Sequence, residues 1–466
     1  MARRNDCLDC SRGGSFPVFG EGFSRRRFLQ VAGTGIVASY FTDVLSPKLL
    51  FGATSAGPSL HKTAKNCILI FLAGAPSHVD TWDLKEGAWT PQEFAPTSFG
   101  NIRFPQGLMP KTAEQLNKMA FVRSGLSWAA VHTLAQTWAQ IARNPGGATG
   151  SIAPHIGAVV ALEKQASRGP NEILPAFVSL NQVMASCGYL PSKYAPFAVQ
   201  PSASGLPALT HPDGAARLGE RWNLLKQIDP DRAASSFGKA AADMSGFYDQ
   251  GKVLVDSPDV NKLFSFTPDE HARYGGSGFG DSLVIARNLV GSGRGTRFVQ
   301  ATLSGWDHHS NIYAKTGSSL FTQAAQFDPA FGALLTDLSG TPGAESGKTL
   351  LDETMVVVLG EFGRTVGVLN GQGGRDHYLR MSIVFAGGGV RGGQVIGSTD
   401  DSGANVKEFG WAANRDVRPE DVTSTIYSAL GIDYTTVRHD DPLNRGFEYV
   451  PRAIDGTYYQ PIDELF

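Results

Sequence analysis

Few cysteines, no long apolar run and almost no net charge set the first limits on this chain. Its 466 residues hold only four cysteines. Cys7 and Cys10 lie close to the N-terminus, Cys67 falls in an apolar run and Cys187 in a loop. That spacing supports neither a disulfide framework nor a cysteine zinc site in a mature chain, so buried free thiols are expected. Lysine and arginine number 41 against 43 aspartates and glutamates, a net charge of −2, which gives no electrostatic footprint for nucleic acid or for an acidic surface. Beyond the N-terminal segment no stretch reaches the roughly eighteen consecutive apolar residues of a transmembrane helix, so the mature chain is expected to be soluble, without a stable membrane span. There is no internal repeat, no P-loop, no His-Glu-x-x-His helix and no Gly-x-Ser-x-Gly elbow, which removes several common enzyme classes. A substrate is then read locally, by a small set of side chains.

What is present begins with an address. Ser24-Arg25-Arg26-Arg27-Phe28-Leu29-Gln30 opens an apolar stretch over residues 31–41, and small residues follow at 52–57. This pattern resembles a twin-arginine export signal. It implies passage through the twin-arginine translocase, loss of residues 1–56 and a periplasmic or extracellular location. Gly33-Thr34-Gly35-Ile36-Val37-Ala38 formally fits a dinucleotide fingerprint, but no strand precedes it and it lies inside the signal. The remaining 57–466, within a chain that is 42% hydrophobic, is long enough for one α/β domain with a large core. Residues 186–275, rich in proline, glycine and charge, read as a helical insertion or lid that leaves His211 and His271 exposed.

Residues 66–72, 119–122, 296–303, 355–359 and 381–385 are short apolar runs rich in β-branched side chains, expected as buried strands, the last two as parallel neighbours. Polar clusters sit at their ends. His78, Asp80 and Asp83 follow the first, Ser124 the second, Asp307, His308 and His309 the third, and Glu361-Phe362-Gly363-Arg364 the fourth, while Asp376-His377 precede the last. Strand ends form the sites of open α/β sheets, and carboxylates and imidazoles gathered at one edge suit a divalent cation. Residues 127–143 read as a helix with Trp128, Val131, Leu134, Ala135 and Trp138 on an apolar face. That helix places Ser124 near its N-terminus, where a hydroxyl serves as a cap or, favoured by the dipole, as a nucleophile. Residues 418–432 form a packing helix with Val422, Ile426 and Leu430 on one face and Gly431 as its stop.

Four ordered motifs carry a resemblance. Gly74-Ala75-Pro76-Ser77-His78-Val79-Asp80-Thr81-Trp82-Asp83-Leu84-Lys85, Gly305-Trp306-Asp307-His308-His309, Gly360-Glu361-Phe362-Gly363-Arg364-Thr365 and Gly373-Gly374-Arg375-Asp376-His377 resemble the bacterial family called domain of unknown function 1501, over nearly the whole mature chain. More distantly, the order of parts is similar to the alkaline phosphatase and sulfatase superfamily. That likeness implies a three-layer α/β sandwich with a mostly parallel central sheet, a helical insertion, and one or two metals at the sheet ends. Asp307, His309 and His377 then stand for the ligands of one metal, with Asp376 beside them. Glu361 occupies a strand end where the superfamily has an Asp-His pair, and Phe362 replaces the histidine. Asp80 stands for the ligand after the first strand, with Asp83 and His78 in reserve. Ser124 matches the nucleophile in placement, and Ser77 and water remain its competitors. Arg364, with Arg123 and Arg375, is implied to neutralise the non-bridging oxygens. The implied activity is an exported, metal-dependent hydrolase of small anionic phosphate or sulfate esters, using zinc, calcium or magnesium. The alternative is a non-catalytic exported metal- or ligand-binding protein that keeps the fold.

Overall fold

The computed structural model describes residues 58–466 apart from 208–212, 230–237, 256, 258, 454–455 and 457. The expected export signal, the Cys7–Cys10 pair and His211 lie outside the described residues. Ser59–Phe466 forms one compact unit. Its centre is an eight-stranded sheet of β1 (Asn66–Ala73), β2 (Met119–Leu126), β3 (Phe177–Leu180), β4 (Phe197–Val199), β5 (Phe298–Ser304), β6 (Thr354–Leu359), β7 (Arg380–Ala386) and β8 (Gln394–Ile396). The strands lie in the order β8-β2-β7-β6-β1-β5-β3-β4. β1 pairs in parallel with β5 and β6, β5 with β3, β3 with β4, and β8 with β2. Only β7 runs antiparallel, to both β6 and β2.

Among the described residues the longer helices are α1 (His132–Ile141), α2 (Ile156–Lys164), α3 (Gly214–Ile228), α4 (Gly238–Val255), α5 (Gly278–Gly291), α6 (Leu320–Gly340) and α7 (Pro419–Ala429). Every residue of β1 is buried, and its side chains alternate between two cores. Ile68, Ile70 and Leu72 join one with α5 and α6, while Cys67, Leu69 and Phe71 join the other with α2 and α7. Burial on both faces is why these strands are continuously apolar rather than alternating. The result is the three-layer α/β sandwich with a mostly parallel sheet that the sequence predicts. Cys67 and Cys187 are buried free thiols.

Three local expectations change. Residues 355–359 and 381–385 are antiparallel, not parallel: the stretch 360–379 between them contains no helix to carry a crossover, and a parallel pair needs one. α7 is buried along its whole length, not on one face. Its polar residues survive this because the Thr423, Ser424 and Thr425 hydroxyls donate to carbonyls four residues back at 3.1, 3.0 and 2.8 Å. The stretch 186–275 supplies the edge strand β4 as well as α3 and α4. In it His271 is half exposed, with Nδ1 2.7 Å from Asp281.

Candidate metal centre

Because β7 opposes its neighbours, its amino end lies at the same sheet edge as the carboxyl ends of β1, β2, β5 and β6. Segments leaving those strands and entering β7 therefore converge. Backbone pairing fixes them together. Gly363–Arg364 pairs antiparallel with His377–Tyr378, the Arg375 amide donates to the His308 carbonyl at 3.0 Å, and the Asn311 and Ile312 amides donate to the carbonyls of Gln372 and Gly373 at 3.1 and 2.9 Å. Two glycines permit the close approach. A Cβ on Gly74, whose φ is +109°, would lie 2.6 Å from the Asp307 nitrogen, and one on Gly374 would lie 2.1 Å from the His309 carbonyl carbon.

Four side chains meet at this edge: His132 from the start of α1, Asp307 and His309 from the turn after β5, and His377 from the segment before β7. One ligand atom from each lies within 4.8 Å of all the others. Asp307 Oδ1 is 3.1 Å from His309 Nε2, 3.4 Å from His132 Nε2 and 3.7 Å from His377 Nε2. The other nitrogen of each ring faces an oxygen: His132 Nδ1 meets Glu361 Oε1 at 2.6 Å, His309 Nδ1 meets Asp376 Oδ1 at 2.8 Å, and His377 Nδ1 meets the Ala130 carbonyl at 2.8 Å. Carbonyls and carboxylates accept, so each Nδ1 carries a proton and each ring turns its Nε2 inward. His309 Nε2 and His377 Nε2 then face each other at 2.9 Å. Two neutral rings so oriented would set lone pair against lone pair at that distance, a contact that a shared cation relieves. Three imidazole nitrogens and a carboxylate, with oxygen acceptors orienting the rings from behind, fit a divalent metal of the zinc type.

The charges around the four side chains are arranged to match. Burial opposes ionisation of Asp307, but Arg364, which donates from Nη2 to Asp307 Oδ1 at 2.5 Å, prevails and holds that carboxyl below its ordinary range. The Glu361 hydrogen bond raises His132 against the effect of burial. Burial lowers His377, and the Arg364 charge pushes the same way. The hydrogen bond to His309 holds Asp376 below the usual carboxylate range. Phe362, fully buried, packs its ring against His132 and His377 with centroids 4.9 and 4.7 Å away. Where a histidine would add a ligand, the phenyl ring walls two of the imidazoles.

The structure brings together Asp307, His309 and His377 and sets Glu361 and Asp376 one step back. Glu361 also accepts from the Gly74 amide at 2.9 Å and from Gln136 at 2.8 Å, so it braces His132 instead of joining the four. Asp80 stands apart. Its buried carboxylate takes Arg375 Nε at 2.7 Å, Arg375 Nη2 at 3.1 Å and the Tyr313 hydroxyl at 2.8 Å, so it is paired with an arginine and lies outside the group of four. Ser124 is also elsewhere. β2 continues through it to Leu126, and its buried hydroxyl donates to the Phe409 carbonyl at 3.1 Å, so it neither caps α1 nor faces the four side chains. Arg364 is buried, with donors spent on Asp307 and the carbonyls of Gly74, Ala75 and Arg375, which makes it a brace for Asp307. Arg123 binds the Trp82 carbonyl and pairs with Asp83 at 3.2 Å. Ser77 and His308 are buried. His132 was missed by reading residues 127–143 for periodicity alone; it follows a strand end through a short loop, the cue that marked the other members.

Fold and site together define an α/β sandwich with a candidate cation centre at one sheet edge. The chain belongs to the family described as "Protein of unknown function (DUF1501)", which matches residues 64–450. No curated protein matches it. Among solved structures it is similar to the lipoteichoic acid synthase LtaP from Listeria monocytogenes, at 10% identity over 84% of this chain and 77% of that one with a TM-score of 0.35. It is similar also to the PsFucS1 sulfatase from Pseudoalteromonas sp., at 11% identity over 86% and 71% with a TM-score of 0.38.

Proposed function

We propose that this protein is an exported metal-dependent hydrolase of small anionic phosphate or sulfate esters. The observation that carries the reading is the inward convergence of three Nε2 atoms on Asp307, with every Nδ1 committed to an oxygen acceptor. His132, Asp307, His309 and His377 would hold the ion. Their nitrogen-rich set favours zinc over calcium or magnesium, which prefer oxygen cages. A divalent ion there supplies Lewis acidity and water activation. The chain's own residues prepare that role: Glu361, Asp376 and Ala130 fix the ring tautomers, Arg364 keeps Asp307 ionised, and Phe362 shields one side from water. With Ser124 bonded elsewhere, water replaces it as the proposed nucleophile. Export through the twin-arginine translocase rests on the arginine motif of residues 24–30.

One observation favours the non-catalytic alternative. Arg364 and Arg375 are spent on aspartates and carbonyls, so neither offers a donor to a non-bridging ester oxygen. Metal content of the purified full chain, together with a screen of aryl phosphates, phosphodiesters and sulfate esters, separates the readings. Hydrolysis is expected to be lost with the metal in His132→Ala, Asp307→Ala and His377→Ala and kept in Ser124→Ala. Metal without turnover supports the binding protein; a metal-free protein indifferent to these substitutions sinks both.

A further inference from the structure

At the sheet edge opposite the four-residue centre, a cavity of about 200 Å³ opens between the body of the fold and α4. Residues 173–176, which lead into β3, form part of its wall, whereas Asp307 follows the carboxyl end of β5. β3 and β5 pair in parallel, so the two places are separated by the length of a strand. Other walls come from the end of α2, the turn before β4 and one face of α4.

Ala161, Leu174, Tyr194 and Leu254 give the cavity a buried, apolar lining. Its charged side chains are Arg168 and Lys193, and among the described residues no carboxylate lines it. Arg168 is fixed in place. Nη1 donates to the Gly295 carbonyl at 2.9 Å, and Nη2 donates to the carbonyls of Glu172 and, at 2.6 Å, Leu174. Gly295, with φ +106°, leaves room for that approach, since a Cβ there would lie 2.7 Å from Nη2. Carbonyls hold the guanidinium without neutralising it, and Glu172, whose charge reaches it, is paired with Arg297. Burial accordingly pushes Arg168 below its ordinary value. Lys193 Nζ stands 4.9 Å from the centroid of the Tyr194 ring and, among the described residues, pairs with no carboxylate. The side-chain amides of Gln165 and Gln250, also in the lining, make no hydrogen bond among the described residues. The carbonyls that end α2 do not compete for this charge: the Ser167 hydroxyl donates to the Lys164 carbonyl at 3.0 Å and the Arg168 amide to the Gln165 carbonyl at 3.3 Å.

We propose that this cavity binds a small organic carboxylate with an apolar body, its anionic group set between Arg168 and Lys193 and hydrogen-bonded by Gln165 and Gln250. A cavity somewhat larger than one that holds benzene takes a six-membered ring and one head group. Two cations beside an apolar wall suit a monoanion attached to a carbon frame. A bare sulfate or phosphate would leave the wall wet, and a neutral ring would leave both charges uncompensated. Because α4 supplies one wall and α2 and the approach to β3 supply others, the ligand bridges the 186–275 stretch to the body of the fold. The site is independent of the ester hydrolysis proposed for the four-residue centre.

The test is titration calorimetry of the full chain with benzoate, benzyl alcohol and sulfate. One benzoate per chain is expected to bind with a Kd at or below about 1 mM, and benzyl alcohol and sulfate at least about tenfold more weakly. Lys193→Glu and Gln250→Glu each put a carboxylate into the lining and should each weaken benzoate at least about tenfold, while His377→Ala should leave its binding unchanged. Benzoate binding untouched by both glutamate variants, equal affinity for benzyl alcohol or for sulfate, or no benzoate bound up to about 10 mM would overturn the proposal. So would binding that is lost in His377→Ala and kept in Lys193→Glu, since the carboxylate would then sit on the four-residue centre.

Discussion

α1 and α7 touch through Glu420, which accepts from Trp128 Nε1 at 2.9 Å and from Trp138 Nε1 at 2.7 Å, and they invert each other's sequence logic. α1 and its approach carry large apolar side chains that stay in solvent, whereas α7 carries serine, threonine and acids that are wholly buried. The pattern of hydrophobic positions names residues able to form a core. Which of them are covered depends on what the rest of the chain lays over them. α7 lies between the sheet and the C-terminal segments, and its hydroxyls satisfy themselves on its own carbonyls. α1 sits at the sheet edge, and Trp128, Val131 and Leu134 there remain 40%, 58% and 36% exposed.

The sharpest way to break this contrast is Glu420→Ala, which strands two indole donors and opens a buried gap at once. A loss of roughly 3–5 kcal/mol is expected in denaturant unfolding, with Glu420→Gln costing less because one acceptor oxygen survives. Next is the pH response of the buried layer that α7 shares with α2. His155 accepts from the Gly157 amide at 2.9 Å, lies 2.8 Å from Gln300 and stacks on Phe177. Burial pushes its imidazole down to about 3. The unfolded chain then binds the extra proton between the ordinary value near 6.5 and 3, so stability is full above about 6.5 and falls as pH drops through that window. By pH 4 the loss is about 3 kcal/mol, and His155→Gln should remove that component from stability measured against pH.

A smaller effect is expected from Thr425→Val on α7. Its hydroxyl donates to the Asp421 carbonyl at 2.8 Å and accepts from the Ile462 amide at 3.0 Å, so the variant leaves that amide unpartnered. Unfolding should show a cost of about 1–2 kcal/mol. Smallest is Leu134→Asp on α1, within about 0.5 kcal/mol of the parent by thermal or denaturant melting. If it cost as much as Thr425→Val, Leu134 would be covered after all and the contrast would fail.

Much of the fold could be read from the chain. The apolar runs became the central strands, because a strand buried on both faces must be apolar throughout. Gly431, with φ +71°, ends the helix that its position marked. Three of the four residues of the candidate centre were legible as well, because Asp307, His309 and His377 carry chemistry in their residue type. Asp80 could not be judged that way. The same carboxylate suits a metal or an arginine, and only the approach of Arg375 and Tyr313 decides between them. Ser124 misled because its strand runs two residues beyond it, to Leu126.

By itself the sequence determined the layers, the family motifs and the supply of imidazoles and carboxylates at strand ends, since these follow from periodicity and side-chain chemistry within a few residues. Only the tertiary structure decided that β7 runs backwards. That reversal brings Asp376 and His377 to the edge where Glu361 leaves β6. A parallel β7 would have put them at the opposite edge, the length of a strand away. The same long-range packing recruited His132 and withdrew Asp80 and Ser124, because which groups meet is set by contacts between segments far apart in the chain.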